Sequence, residues 1–190
     1  MSGLRIVLAD SSDIQRNGIK NILISNGNMV YEAKDGGTAL RLSRSLKPDL
    51  VIVDINLLNL NGYEVGRILD ETEEFPVILM TSTLHRDFYE EIKKYTVFSY
   101  IIKPVDKSVL LNTIEITVEN FKKIKKLKEQ VEKLKKQIES RKKIEKAKGL
   151  IMKDKGLSED DAYKVMRKMS MDMTLPMDII ADMIIDKYKK

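Results

Sequence analysis

The sequence predicts an α/β domain followed by two helical segments. Three observations support this: short apolar runs stop at polar residues, helical patterns separate those runs, and lysine is concentrated in one later stretch. Strands that alternate with helices form a parallel sheet covered on both faces. We therefore expect a doubly wound, five-stranded parallel sheet, then a long helix, then an all-α unit of three helices.

Five apolar segments rich in β-branched residues predict the strands. In chain order they are Leu4–Ala9, Met29–Ala33, Leu50–Val53, Val77–Met80 and Phe98–Ile102. The intervening segments place their apolar residues on one side of a helix, and Thr38 and Asp106 are expected to cap two of them. These predicted helices are Ile14–Ser25, Thr38–Leu46, Tyr63–Leu69, Phe88–Tyr95 and Asp106–Phe121.

Polar side chains follow four of the predicted strands at their carboxyl ends. Asp10, Asp54, Thr81 and Lys103 occupy these positions, and ligands of such sheets bind at that edge. Carboxylates suit Mg²⁺, while hydroxyl and ammonium groups donate to phosphate oxygens. A carboxylate in such a site can attack a phosphoryl donor. The single histidine, His85, supports neither a metal site nor a catalytic triad, so we expect it in a solvated loop.

Residues 4–121 resemble the receiver domain of two-component response regulators, a flavodoxin-like fold. The resemblance lies in VIVDINLLNLNG, where Asp54 matches the phosphoacceptor, in LMTS, where Thr81 matches the switch hydroxyl, and in SYIIKP. In that last motif Lys103 matches the family's lysine, and Tyr100 matches the switch aromatic residue. The resemblance implies phosphotransfer from a sensor histidine kinase to Asp54 and movement of Thr81 and Tyr100 toward the new phosphate.

The same resemblance implies a Mg²⁺ site made by Asp10, Asp54 and the backbone carbonyl of Asn56. The family usually has two adjacent acids after its first strand, whereas this chain has Asp10-Ser11. A neutral hydroxyl lowers the negative charge of the site and should weaken Mg²⁺ binding. A receiver that works without phosphorylation therefore stays an alternative. Asp13 is expected to start the first helix instead of replacing the missing acid.

A basic stretch from Lys122 to Lys148 predicts a long helix. Its 13 basic and four acidic side chains give a net charge of +9, against +5 for the whole chain. Apolar residues recur there at steps of three and four, which favours a coiled coil and a homodimer. The alternative is a single solvated helix that packs on its neighbouring domain. This seam consists of Ile124, Leu127, Val131, Leu134 and Ile138.

The last 50 residues predict three helices, the second of which begins after the cap Ser158. Lysines flanking Gly149 make a surface that a phosphate backbone could approach closely. Lys164, Arg167 and Lys168 form a second basic cluster on the next helix. Asp178, Asp182 and Asp186 line the last helix at four-residue steps, which disfavours DNA binding through that helix.

Residues 141–185 resemble the ANTAR domain, an RNA-binding module of transcription antiterminators. The match lies in AKG (Ala147–Gly149), Met152, Gly156-Leu157, the Ala162–Arg167 segment and Ala181, while Ser170 stands where alanine is more usual. The resemblance implies binding of paired RNA stem-loops, so that transcription continues past a terminator. The predicted RNA-binding residues are Lys142, Lys146, Lys148, Gly149, Lys153, Lys164, Arg167 and Lys168.

The predicted domains are a receiver at 1–121, a helical linker at 122–140 and an ANTAR domain at 141–190. The chain has no cysteine and no apolar run long enough for a membrane, so a cytoplasmic regulator without a membrane partner is expected. We do not expect a metabolic enzyme. The competing interpretations are a DNA-binding transcription factor and a protein-interaction module whose basic helix binds an acidic partner.

Overall fold

The computed structural model describes residues 2–72, 74–83 and 98–188. The predicted helix Phe88–Tyr95 and His85 lie outside these residues. Among the described residues, no helix could cross a membrane. The described residues form two compact units, which divide between Lys125 and Lys126.

The N-terminal unit contains the predicted five-stranded parallel sheet, in the order β2-β1-β3-β4-β5. The central strands β3 and β4 are buried along their whole length, as strands covered on both faces should be. Each predicted strand is confirmed to within one residue at either end. The strands are β1 (Arg5–Ala9), β2 (Met29–Ala33), β3 (Leu50–Asp54), β4 (Val77–Thr81) and β5 (Phe98–Ile102).

Six helices are present in the described part of the chain. The three that follow β1, β2 and β3 are α1 (Asp13–Ser25), α2 (Gly36–Leu46) and α3 (Gly62–Thr72). The next helix, α4 (Lys107–Lys155), continues without interruption through the predicted linker. Two short helices complete the C-terminal unit, α5 (Glu159–Met173) and α6 (Met177–Lys187).

Two apolar clusters cover the two faces of the sheet. Ile6, Leu8 and Ile52 lie on the face that α1 and the first part of α4 cover. Val7, Val51 and other alternate strand residues belong to the cluster on the opposite face, which includes residues of α2 and α3. Because successive side chains of a strand point to opposite faces, the same short apolar strand contributes to both clusters.

Most helix caps agree with the sequence, and one differs. Asp106 accepts hydrogen bonds from the backbone N–H groups of Ser108 (2.8 Å) and Val109 (3.1 Å), and Ser158 caps α5. The predicted cap at Thr38 was wrong. The helix starts two residues earlier and Asp35 is the cap, because its carboxylate accepts the backbone N–H of Thr38 at 2.8 Å.

The C-terminal unit is held together by its own apolar core. Ala147 and Ile151 of α4 pack with Ala162 and Met166 of α5 and with residues of α6. Gly156 ends α4 with φ of +63°, the left-handed conformation expected of a C-terminal glycine.

Candidate functional site

Three of the predicted site residues of the N-terminal unit meet at the carboxyl ends of the strands. The Lys103 ammonium lies 2.7 Å from an Asp10 carboxylate oxygen and 2.9 Å from an Asp54 carboxylate oxygen. All three side chains are at least 93% buried. The arrangement joins two buried carboxylates through one cation, since two such charges without a counter-ion would be costly to bury.

The Lys103 ammonium has a third partner, which the sequence did not suggest. The Gln15 side-chain oxygen lies 2.6 Å from the Lys103 nitrogen. The ammonium group donates hydrogen bonds to Asp10 and Gln15 and forms an ion pair with Asp54. The peptide bond between Lys103 and Pro104 is cis.

Arg16 is a second part of the site that sequence reasoning missed. Its buried guanidinium donates to the backbone carbonyl of Asp10 at 2.8 Å and to Glu32 at 3.0 Å, and it also bonds to Asp13. These bonds fix the main chain beneath the Asp10 carboxylate. The available signal was the placement of Arg16 on the same side of α1 as the buried residues Ile19 and Leu23.

Asp13 has the structural role that was expected of it. It is the first residue of α1, after the cap Ser12, and its carboxylate pairs with Arg16 and Lys34. The hydrogen bond from Arg16, followed by that from Lys34, lowers the pKa of Asp13. Asp13 therefore supports the helix start and does not replace the acid missing at Ser11.

Ser11 stands close to the third predicted metal ligand. Its hydroxyl lies 3.5 Å from the backbone carbonyl oxygen of Asn56. Among the described residues, no group of three acidic, histidine or cysteine side chains is placed to hold a metal ion. The Asp10 and Asp54 carboxylates and the Asn56 carbonyl are oxygen donors of the type that a hard cation prefers. The set has one carboxylate fewer than the pattern of the receiver family.

The two predicted switch residues have different surroundings. The Thr81 hydroxyl is at the end of β4 and donates to the backbone carbonyl of Thr83 at 2.7 Å. Tyr100 is half-buried against the apolar cluster that includes α2 and α3 residues. The Thr81 hydroxyl is thus engaged with its own loop and not with the Asp54 carboxylate.

In the C-terminal unit, seven of the eight predicted RNA-binding residues are exposed. Lys148 differs from this expectation. Its side chain is only 9% exposed, and its ammonium lies 2.7 Å from both Glu145 and Glu159. Because these contacts join α4 to the first turn of α5, Lys148 is engaged inside the unit, which periodicity alone did not indicate.

An ion pair neutralises part of the negative charge on α6, which its spacing of acidic residues did not indicate. Asp182 forms an ion pair with Lys143 at 2.7 Å, and this hydrogen bond raises the pKa of Lys143. Asp182 of the acidic stripe is therefore paired with α4. This weakens the sequence-based argument against nucleic acid at that helix.

The predicted seam of α4 is exposed within the single chain. Leu127, Val131, Leu134 and Ile138 are each 50–60% exposed, and Ile124 is half-buried. The apolar stripe is thus on the outer surface of the helix, where a second helix could reach it.

Comparisons with known proteins agree with both units. The response regulator receiver domain matches residues 6–115, and the ANTAR domain matches residues 132–185. The transcriptional regulatory protein PdtaR of Mycobacterium tuberculosis is 30% identical over 183 residues, which cover 96% of this chain and 89% of PdtaR. The protein PilH of Pseudomonas aeruginosa is 34% identical over 113 residues, covering 58% of this chain and 93% of PilH.

Solved structures resemble the N-terminal unit. A receiver domain of a sensor histidine kinase from Pseudomonas aeruginosa PAO1, with a magnesium ion coordinated in its active site cleft, has a TM-score of 0.57 at 23% identity. That match covers 62% of this chain and 99% of the other, and it shows the shared fold. With both family matches and a relative aligned over nearly its whole length, the chain belongs to the response regulators of the antiterminator type, in which a receiver domain precedes an ANTAR domain.

Proposed function

We propose that this protein is a transcription antiterminator that binds stem-loop RNA under the control of phosphorylation at Asp54. The observation that carries the proposal is the buried cluster of Asp10, Asp54 and Lys103 at the receiver rim, on the same chain as an ANTAR unit with exposed cations. The phosphoryl donor would be a sensor histidine kinase. We place the protein in the cytoplasm.

In the proposed reaction, an Asp54 carboxylate oxygen forms a bond to phosphorus while the bond between phosphorus and the kinase imidazole nitrogen breaks. The imidazole keeps the electron pair of the broken bond. Lys103 is already 2.9 Å from the Asp54 carboxylate, so its ammonium can follow the added negative charge. The Thr81 hydroxyl would leave the Thr83 carbonyl and donate to a phosphoryl oxygen, and Tyr100 would move with it.

Asp10, Asp54 and the Asn56 carbonyl would hold the Mg²⁺. When bound, the metal would neutralise charge on the transferring phosphoryl group. Ser11 supplies a hydroxyl in place of a carboxylate, so we expect weaker Mg²⁺ affinity than in a receiver with three acids. The Lys103 ammonium supplies part of the positive charge in this pocket.

The proposed domain division is a receiver at 1–121, a helical linker at 122–140 and an ANTAR domain at 141–190. The linker seam would bring two copies together and so present two RNA-binding units, which raises the avidity for paired stem-loops. The exposed cations of α4 and α5 support the RNA contact. They are Lys142, Lys146, Lys153, Lys164, Arg167 and Lys168, with Gly149 between them.

The test compares RNA binding by the wild type and by Asp54→Ala before and after exposure to a small-molecule phosphodonor with Mg²⁺. RNA that co-purifies with the wild type, once sequenced, supplies the probe. We expect the phosphodonor to increase RNA binding and dimerisation of the wild type only. Equal RNA affinity of both proteins after phosphodonor treatment would refute control by Asp54.

A phosphorylation-independent RNA-binding regulator is the second candidate, because Ser11 removes an acid and Lys103 already joins Asp10 to Asp54. This candidate predicts that wild type and Asp54→Ala bind the RNA saturably and with equal affinity, both before and after phosphodonor treatment. Competition between a stem-loop RNA and a double-stranded promoter separates both candidates from a DNA-binding regulator.

A further inference from the structure

Gly149 is an interior residue of α4 for which the fold supplies no packing reason. It is exposed, and a Cβ atom built on it would meet no atom of the described structure within 4 Å. Glycine in the middle of a helix is less stable than alanine. A glycine at such a position leaves bare backbone on the surface, which allows a molecule outside the chain to approach closely.

The charges around Gly149 indicate what that molecule is. Lys142, Lys146 and Lys153 are exposed and share the face of Gly149, at spacings of four, three and four residues. Within the part of the chain that the structure describes, none of these three lysines forms an ion pair. Exposed ammonium groups around bare backbone suit an anionic chain that lies against the helix, and the sugar–phosphate backbone of RNA is such a chain.

Lys148, the residue before Gly149, holds two acidic side chains. Glu145, one turn before Gly149, and Glu159, at the start of α5, each accept a hydrogen bond of 2.7 Å from the Lys148 ammonium. The hydrogen bond from Lys148 lowers the pKa of Glu159, because pairing with the ammonium favours the ionised carboxylate. Without Lys148, both carboxylates would be released beside the lysines that surround Gly149.

We infer that Gly149 is the point at which the backbone of the bound RNA comes closest to the protein. Lys148 is a positioning residue, which holds Glu145 and Glu159 away from that point and does not itself contact RNA. The inference rests on the proposed RNA-binding function and adds to it the place of closest approach.

The first experiment measures binding of Gly149→Ala to the stem-loop RNA recovered with the wild type, by fluorescence anisotropy on the full chain. The added methyl group keeps every charge but prevents close approach, so we expect affinity to fall by about tenfold or more. Hydrogen exchange of the 144–155 peptides should become slower, because alanine stabilises the helix. Loss of affinity with a more stable helix is a combination that unfolding cannot produce.

Gly18→Ala is the matched control, because Gly18 is also an exposed helix glycine with nothing within 4 Å of a built Cβ. It should leave RNA affinity unchanged. Lys148→Met should weaken RNA binding, and adding Glu145→Gln and Glu159→Gln should restore it, since the released carboxylates are then gone. No such rescue is expected if the Lys148 ammonium contacts RNA directly.

Three results would overturn the inference. Equal RNA affinity of wild type and Gly149→Ala would refute it alone, leaving the proposed function intact. Weaker self-association of Gly149→Ala, with unchanged affinity of the dimer for RNA, would assign Gly149 to contact between two copies. Failure of the wild type to bind any RNA would refute the proposed function and this inference with it.

Discussion

Gly62 provides a direct test of how α3 supports β3, the strand that ends at Asp54. A Cβ atom at Gly62 would lie 2.4 Å from the backbone carbonyl oxygen of Asp54, where ordinary contact begins at 3.4 Å. Gly62→Ala therefore requires the backbone to move by about 1 Å, and overpacking of this kind costs about 1–3 kcal/mol. The atoms that must move belong to Asp54 and Ile55, so the carboxylate would be displaced with them.

The assay is urea unfolding of the full chain together with the rate at which Asp54 is labelled by a small phosphodonor. Gly18→Ala is the control, since the same change at that open helix position should stabilise the protein by about 1 kcal/mol. We expect Gly62→Ala to be less stable than wild type and slower to be labelled. A Gly62→Ala protein as stable as Gly18→Ala, and labelled at the wild-type rate, would refute the close packing of α3 on β3.

Three further predictions concern the charged groups of the receiver. Lys103→Met should lower the free energy of unfolding by about 3–5 kcal/mol, because it leaves the buried Asp10 and Asp54 carboxylates without their cation. A loss below about 1 kcal/mol in urea unfolding would contradict the burial of these ion pairs. Ser11→Asp should raise Mg²⁺ affinity by about tenfold or more, because a third carboxylate joins the oxygen donors. Titration calorimetry measures this affinity, with Asp13→Glu as the control. Unchanged affinity would place Ser11 outside the metal site. The hydrogen bond from Lys20, followed by that from Arg16, lowers the pKa of Glu32, so its contribution to stability is complete above the ordinary carboxyl pKa and is lost as the pH falls below it. Glu32→Gln should accordingly flatten the fall in the urea midpoint between about pH 5 and pH 3, and a midpoint that falls as steeply as in the wild type would argue against this ion pair.

The strands and their carboxyl ends could be predicted from the sequence because they depend on local pattern. A short apolar run that stops at a polar residue marks both the strand and its end, so Asp10, Asp54 and Lys103 could be assigned to one rim without knowledge of their contacts. The caps Asp106 and Ser158 followed from the residue type at the start of each helix. The Thr38 cap failed because Asp35 offers a carboxylate three residues before the Thr38 backbone N–H, and the helix starts there instead.

Contacts between distant parts of the chain were decided only by the tertiary structure. Helical periodicity places Lys148 among the basic residues of α4, but the packing of α5 brings Glu159 to it and buries it. In the same way, the packing of α6 brings Asp182 to Lys143.

By itself, the sequence determined the succession along the chain of the described strands and helices, the rim residues, and the apolar faces, because each depends on neighbours within a few residues. Only the tertiary structure decided that Lys103 donates to Gln15, that Arg16 supports the Asp10 main chain, and that Lys148 is held inside the unit. The reason is that a charge is satisfied by whichever partner the packed elements bring within about 3 Å. That distance depends on how helices and strands pack, which a pattern of spacing along one element does not contain.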